Sequence, residues 1–162
     1  MGRAGGDDFD SVFAAEYAPV LRTVFLICHD SHQAQDVTQE AFVELLRHWD
    51  KVSRYERPGA WVRRVAIRKL VKAMRRELRR REAEVAFEPP ATMGPADIDV
   101  MRAVRALPLR QRTAVVLYYY EDRPLDEVAE LLDCSASTAA AHVHRARAKL
   151  GGLLQEVSAD GR

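Results

Sequence analysis

Apolar side chains recur along most of the chain at three- and four-residue steps, which is the spacing of one face of an α-helix. No segment shows the sustained alternation of a half-buried strand, so the pattern predicts an all-α fold. The first apolar stripe consists of Phe13, Tyr17, Val20, Leu21, Val24, Phe25 and Cys28.

Interruptions of this pattern divide the N-terminal half into three helices. His29-Asp30-Ser31 ends the first helix, and Asp30 or Ser31 is a suitable N-cap for a second helix over about 33–49. Pro58-Gly59 signals a turn, and a third helix is predicted from Ala60 to Arg81. The side chains expected to face inward are Phe42, Leu45, Leu46, Trp49, Ile67, Leu70, Val71 and Met74.

Residues 83–96 differ from their neighbours because they contain three prolines and a glycine. That composition favours an extended linker. We therefore expect two small helical domains, residues 9–82 and 97–154, joined by an extended linker. In the second domain, four short helices are predicted over Ile98–Leu107, Leu109–Tyr119, Leu125–Leu132 and Ser137–Leu154.

The last two helices have the spacing of a helix-turn-helix, in which the second helix enters the major groove of DNA. A short turn at residues 133–135 separates them, and Ser135 is a good N-cap for the second helix. Basic side chains are expected on the exposed face of that helix, although a helical hairpin without a DNA role has a similar pattern. The expected buried stripes are Leu125, Val128, Ala129 and Leu132, then Ala139, Val143, Ala146 and Leu150.

Charged residues are distributed unevenly, although the net charge of the whole chain is only +1. Residues 1–50 have a balance of −6, residues 54–81 a balance of +10 and residues 97–162 a balance of −1. Because the basic block contains few acidic residues, its cations repel one another unless a polyanion lies against them. The distribution of charge therefore predicts a nucleic-acid partner, whereas the net charge of the whole chain gives no such indication.

Other functional classes find little support in the sequence. Arg, Asp or His interrupts the longest apolar stretches and no secretory signal is evident, so we expect a cytoplasmic protein without a membrane segment of its own. The histidines near Cys28 and Cys134 do not supply four ligands at zinc spacing, so neither a metal site nor a cofactor is expected. Without a nucleophile–base arrangement or a phosphate-binding glycine loop, we expect no catalytic residues and no enzyme activity.

Three segments resemble, in the same order, segments of bacterial RNA polymerase sigma factors. Residues 35–42, Gln-Asp-Val-Thr-Gln-Glu-Ala-Phe, are similar to the second conserved helix of that family. Residues 61–66, Trp-Val-Arg-Arg-Val-Ala, are similar to its segment Trp-Leu-Tyr-Arg-Ile-Ala, and residues 107–147 resemble its C-terminal domain. The linker stands in place of the family's middle region, so the architecture over about residues 9–154 resembles the extracytoplasmic-function (ECF) class.

The resemblance implies a protein that binds core RNA polymerase, at the clamp of the large subunit and at the flap, and directs transcription from particular promoters. It implies promoter DNA as a second partner, melted at the −10 element and read at the −35 element. An anti-sigma factor commonly holds ECF proteins inactive. The positions that match the clamp-binding residues of the family are Asp36, Gln39, Glu40 and Phe42.

The family's −10 segment needs cations for the phosphates and planar groups for stacking. Arg63 and Arg68 stand where the family has Tyr and Asn, a departure that bears on base selection and strengthens the attraction for phosphate. The residues that the resemblance assigns to the −10 element are Arg54, Tyr55, Arg57, Trp61, Arg63, Arg64, Arg68, Lys72, Arg75 and Arg76.

The recognition helix departs further, since Ala140 and Ala141 replace a basic and a hydroxyl residue of the family. Alanine can contact a thymine methyl group but cannot donate a hydrogen bond. We therefore expect −35 readout to depend on His142, His144 and Arg145, with weaker affinity than in a relative that has two cations here. The full set assigned to the −35 element is Ser137, Thr138, His142, His144, Arg145, Arg147 and Lys149.

Two other functions stay open on the sequence alone. A helix-turn-helix repressor or activator binds duplex DNA without polymerase, usually as a two-fold dimer, and its N-terminal domain senses a ligand or dimerises. A pure interaction module, such as an antagonist of polymerase, does not need the arginine-rich helix. Promoter-specific transcription with core polymerase distinguishes the three functions.

Overall fold

The computed structural model describes the backbone of residues 4–78 and 95–160, and the side chains of residues 9–77 and 98–153. The described residues are almost entirely helical and form no strand, as predicted. They fall into two compact units, one containing the helices up to residue 78 and the other those from residue 95 onward. Residues 83–94 of the predicted linker lie outside the described residues.

Unit 1 is a bundle of three long helices and one short helix. The long helices α1 (Ala4–Cys28), α2 (Ser31–Arg47) and α4 (Pro58–Leu78) pack against one another in all three pairings. The short helix α3 (Trp49–Val52) packs against α1 and α2. The core is filled by Val20, Val24, Ile27, Val37, Ala41, Leu45, Val62, Ala66, Ile67 and Leu70.

The start of α2 agrees with the predicted N-cap, whereas the start of α4 differs from the predicted boundary. The Asp30 carboxylate accepts a hydrogen bond from the Gln33 backbone N–H at 3.1 Å and caps α2, as predicted. Pro58-Gly59 is not a turn, because α4 begins at Pro58. Proline is favoured in the first turn of a helix, where its missing N–H leaves no hydrogen bond unmade.

One expectation about apolar side chains in unit 1 is wrong. Leu46 was expected in the core but is 59% exposed, because α2 turns it towards solvent beside Val43. The helix span Phe9–Cys28 has the length and apolar composition of a membrane segment, although Asp10, Glu16 and Arg22 interrupt it. In the structure it belongs to α1, which packs against α2 and α4 and has Val20 and Val24 buried, so it serves as a core helix of the bundle.

Unit 2 is arranged around its last helix. The helices α5 (Pro95–Ala106), α6 (Leu109–Val115) and α7 (Leu125–Leu132) each pack against α8 (Ala136–Asp160). A π-helical turn, Val116–Tyr120, extends α6. The core is filled by Met101, Val104, Leu107, Leu117, Val128, Leu132, Ala139, Val143 and Ala146.

The connection from α7 to α8 is the predicted helix-turn-helix turn. Asp133 ends α7 in the left-handed conformation at φ 54°, which Asp adopts more readily than most residues. The Ser135 hydroxyl accepts a hydrogen bond from the Thr138 backbone N–H at 3.1 Å, which confirms the predicted N-cap. Leu150, expected in the buried stripe of α8, is half-buried.

Candidate functional site

The solvent side of α2 combines acidic groups with exposed apolar side chains. Asp36, Gln39 and Glu40 are exposed at three- and four-residue steps, so they lie on one side of the helix. Val43, 47% exposed, and Leu46, 59% exposed, continue the same side. We call these five residues the acidic face. Exposed apolar area bordered by carboxylates suits a partner surface that is apolar at its centre and basic at its rim.

Lys69 of α4 borders the acidic face. Its Nζ lies 2.9 Å from Glu44 Oε1 and 3.8 Å from Glu40 Oε2, so one cation of the basic block is directed at α2. An open depression of about 480 Å³ adjoins these ion pairs. It is lined by Asp36, Gln39, Glu40, Val43, Glu44, Arg47 and Lys69.

Phe42 does not lie on the acidic face, although the resemblance assigned it to polymerase binding. Its side chain is only 4% exposed. The ring centroid lies 5.0 Å from that of Phe13, edge to face, and 5.5 Å from that of Tyr17. Phe9 and Trp49 extend this aromatic cluster with an edge-to-face contact at 5.4 Å. Phe42 therefore supports α2 from inside the bundle, and its expected contact with polymerase stays a prediction.

The solvent side of α4 carries a row of cations. Arg68, Lys72 and Arg76 are exposed at four-residue steps, and Trp61 lies on the same side two turns earlier. We call these four residues the basic stripe. Arg75, which is half-buried, flanks it. A row of cations of this kind can follow a phosphate backbone that runs along the helix.

A loop of exposed residues leads into the stripe. Arg54, Tyr55 and Arg57 lie between α3 and α4, and Tyr55 is 41% exposed. Trp61 is half-buried, and its ring centroid lies 5.8 Å from that of His48 at the end of α2. Sequence reasoning did not identify His48, because nothing in the local pattern indicates that the end of α2 meets the start of α4.

Two arginines predicted to bind the −10 element do not belong to the basic stripe. Arg63 donates a hydrogen bond from Nε to Glu16 Oε2 at 2.6 Å, an ion pair that joins α4 to α1. Arg64 is half-buried, with its Nε buried. The structure thus directs the Nε of Arg63 at a carboxylate of α1 and away from the basic stripe. Glu16 was missed because the two partners are 47 residues apart.

The solvent side of α8 carries four of the residues expected to read the −35 element, namely Ser137, Thr138, His144 and Arg145, all of which are exposed. His142 is different, because it is half-buried. Burial, together with the charges of Arg110 and Arg145, lowers the pKa of His142 below its usual value of 6.5. The neutral form of the imidazole is therefore favoured. Lys149 is also exposed.

Arg147 and the π-helical turn form a separate feature of unit 2. The Arg147 guanidinium carbon lies 5.8 Å from the centroid of the Tyr119 ring, a cation–π contact. Tyr119 and Tyr120 are 52% and 51% exposed. Two residues along a helix correspond to a rotation of about 200°, so Arg147 lies on a different side of α8 from Arg145. The expected −35 set is therefore not one continuous face.

Comparison with known proteins connects both units to one family. Residues 12–81 match the family Sigma-70 region 2, and residues 97–150 match the family Sigma-70, region 4. The RNA polymerase sigma-E factor of Streptomyces coelicolor is 30% identical over 148 residues, which cover 88% of this chain and 84% of the relative. The ECF RNA polymerase sigma factor SigM of Mycobacterium tuberculosis is 25% identical over 150 residues, which cover 90% of this chain and 76% of the relative.

Solved structures show the same fold. The sigma factor RpoE, solved with the anti-sigma factor NepR from Bartonella quintana, matches with a TM-score of 0.74 at 20% identity, over 91% of this chain and 97% of that one. CnrH, solved with the cytosolic domain of CnrY, matches with a TM-score of 0.60 at 23% identity, over 91% of this chain and 88% of that one.

The chain therefore belongs to the RNA polymerase sigma factors, which are transcription initiation factors. Within them it is an ECF sigma factor, as the sequence predicted. The match to region 2 occupies the N-terminal unit. A helix-turn-helix repressor with an N-terminal sensing domain, the alternative left open by the sequence, does not fit this assignment.

Proposed function

We propose that this ECF sigma factor binds core RNA polymerase through the acidic face, holds melted −10 DNA against the basic stripe, and reads the −35 element with α8. The observation that carries the proposal is the alignment of Trp61, Lys72 and Arg76 on one side of α4, directly after the exposed loop that contains Arg54 and Arg57. The polymerase supplies all catalysis, and the protein acts in the cytoplasm.

The acidic face supports the first part of the proposal. The clamp of the large polymerase subunit is the partner expected from the family, and the carboxylates of Asp36 and Glu40 favour a basic helix there. Val43 and Leu46 add exposed apolar area to this face. Sequence analysis predicts Leu46 in the core and assigns no role to Val43. Phe42 contributes by fixing the position of α2. For unit 2, the flap is the polymerase contact that we propose.

The −10 part of the proposal depends on charge and on planar side chains. Arg54, Arg57, Lys72 and their neighbours attract phosphate, while Tyr55 and Trp61 provide rings on which an unpaired base can stack. Trp61 is only half-buried, so one part of its ring stays accessible while His48 supports another part. Because Arg63 is engaged by Glu16, we exclude it from the direct contacts.

The −35 part of the proposal depends mainly on short side chains. Ser137, Thr138 and His144 can exchange hydrogen bonds with base edges or phosphates, and Arg145 can bind guanine at two atoms. Ala141 can contact a thymine methyl group. With few cations on this face, we expect unit 2 to bind the isolated −35 element weakly and to depend on the polymerase for its local concentration.

Regulation by an anti-sigma factor is the last part of the proposal. The sigma factor RpoE was solved with the anti-sigma factor NepR, and CnrH was solved with the cytosolic domain of CnrY. We propose a protein antagonist of this kind for the present chain, occupying the acidic face and so competing with the polymerase clamp. Its apolar and basic groups would match Val43, Leu46 and Glu40.

Reconstitution with core polymerase tests the proposed function. The full chain is mixed with core enzyme, and transcripts from a genomic template library are mapped. Glu40→Lys is expected to lower core affinity about tenfold or more through charge repulsion, whereas Asp10→Lys, an exposed acid on α1, leaves it unchanged. Absence of any promoter-specific transcript with the unaltered chain would refute the sigma function. Unchanged core affinity in Glu40→Lys would refute the proposed role of the acidic face in polymerase binding but not the sigma function.

A further inference from the structure

One ion pair ties the start of α4 to α1. Arg63 Nε and Glu16 Oε2 lie 2.6 Å apart, and the side chains are 30% and 23% exposed. A pair that is shielded from water to this extent interacts more strongly than most surface pairs. It is also a tertiary contact, since the partners are 47 residues apart in the sequence. The pair therefore fixes the position of one helix against another.

Gly59 is a second component of the same contact. A Cβ atom at this position would lie 2.7 Å from the Cδ and Oε1 atoms of Glu16, which is closer than non-bonded atoms approach. The Glu16 carboxylate thus lies directly against the backbone of the first turn of α4. A negative charge at the start of a helix is stabilised by the helix dipole. Glu16 therefore contacts α4 in two ways, through the backbone at Gly59 and through the side chain of Arg63.

The segment held by this contact is the one that presents the promoter-binding groups. The loop with Arg54 and Arg57 leads into the first turn of α4, and Trp61 follows within that turn. Trp61 and Arg63 are two residues apart, so they lie on nearly opposite sides of the helix. Fixing Arg63 on the α1 side therefore sets the rotation and height at which Trp61 faces the promoter.

We propose that Glu16 is a positioning residue for promoter opening, which acts through Gly59 and Arg63 on the orientation of Trp61 and the preceding loop. This inference rests on the proposed −10 function of α4. It assigns a role in DNA melting to an acidic residue on a helix that does not contact DNA. It also explains why Arg63, a cation within the basic block, is directed away from the basic stripe.

The test compares promoter opening with core binding in the holoenzyme. Opening is measured as permanganate reactivity of −10 thymines, and core affinity is measured by competition. The variants Glu16→Gln and Arg63→Gln are expected to reduce the open fraction roughly threefold to fivefold, with core affinity unchanged. Arg63→Lys, which keeps the charge, should restore most of the opening. Gly59→Ala should reduce the open fraction in the same way. If Gly59→Ala does not fold, the isosteric variant Glu16→Gln still tests the proposal.

Two further measurements separate positioning from direct DNA contact. Because Arg63 does not bind phosphate in this proposal, the salt dependence of promoter binding should be the same in Arg63→Gln as in the unaltered chain; a slope smaller by about 0.7 to 0.9 would overturn it. Increased promoter opening in Glu16→Gln would also overturn the positioning proposal. In that case Glu16 would only keep Arg63 from binding DNA. Unchanged opening in Glu16→Gln, with normal opening by the unaltered holoenzyme, refutes this inference and leaves the sigma function intact.

Discussion

The basic stripe of unit 1 and the recognition helix of unit 2 are both proposed to bind DNA, yet they differ in chemistry. Along α4, Arg68, Lys72 and Arg76 are exposed one turn apart. The corresponding side of α8 presents Arg145 among serine, threonine, histidine and alanine side chains. Attraction between cations and phosphates is strong but carries no sequence information, whereas short side chains select bases at close range. From this difference we expect affinity for the promoter to come mainly from unit 1 and duplex selectivity from unit 2.

The largest expected effect comes from removing charge from the stripe. The double variant Lys72→Ala/Arg76→Ala should lower the promoter affinity of the holoenzyme roughly tenfold to thirtyfold, and its salt dependence should fall by about 1.4, because two contacts to single-stranded phosphates are lost. Filter binding at several salt concentrations measures both quantities. Arg22→Ala, an exposed arginine on α1, is the control and should change neither. An unaltered salt dependence in the double variant would remove the stripe from the DNA interface.

A smaller effect is expected in unit 2, where the two arginines of α8 should behave differently. Arg145→Ala should weaken protection of the −35 element about tenfold, because a side chain that can read a base is lost. Arg147→Ala should have a clearly weaker effect, since Arg147 lies over the Tyr119 ring on another side of the helix. Footprinting of the holoenzyme measures both. Equal losses would contradict the separation of these two residues into different surfaces.

The smallest expected effect is a pH dependence confined to unit 2. Because the pKa of His142 is lowered below 6.5 in the folded chain, the unfolded chain binds the proton more readily. The stability of unit 2 is therefore highest above pH 6.5 and decreases as the pH falls through the folded-state value. Hydrogen exchange in α8, measured above and below pH 6.5 and corrected for intrinsic rates, should show this loss. His142→Gln should reduce it, whereas His144→Gln, on the exposed side, should not.

Short-range signals in the sequence were sufficient for the secondary structure and for the caps. Asp30 and Ser135 cap the helices that they were predicted to cap, because an N-cap depends only on the backbone of the next turn. Leu45 lies at the centre of the buried stripe of α2, whereas Leu46 lies at its edge, where helical spacing alone does not decide between core and solvent. Local reasoning also gave no means of deciding whether Pro58-Gly59 ends a loop or begins a helix.

Features that depend on contacts between helices were not predictable in the same way. A single sequence does not indicate that Glu16 meets Arg63, or that His48 lies beside Trp61, because each pair joins segments that are distant along the chain or meet only after packing. Phe42 illustrates the same point for an expected binding residue. The motif identified its position in the family, but only the contacts with Phe13 showed that its ring is turned inward.

The aromatic cluster beneath α2 has a practical consequence for measurement. The chain contains two tryptophans, Trp49 and Trp61, and both belong to unit 1. Trp49 is 8% exposed and packed against Phe9, whereas Trp61 is half-buried at the head of the basic stripe. An aqueous quencher should therefore reach the fluorescence of Trp61 and largely spare that of Trp49. With Trp61→Phe, the remaining emission reports on the aromatic cluster between α1 and α2; with Trp49→Phe, it reports on the head of the basic stripe.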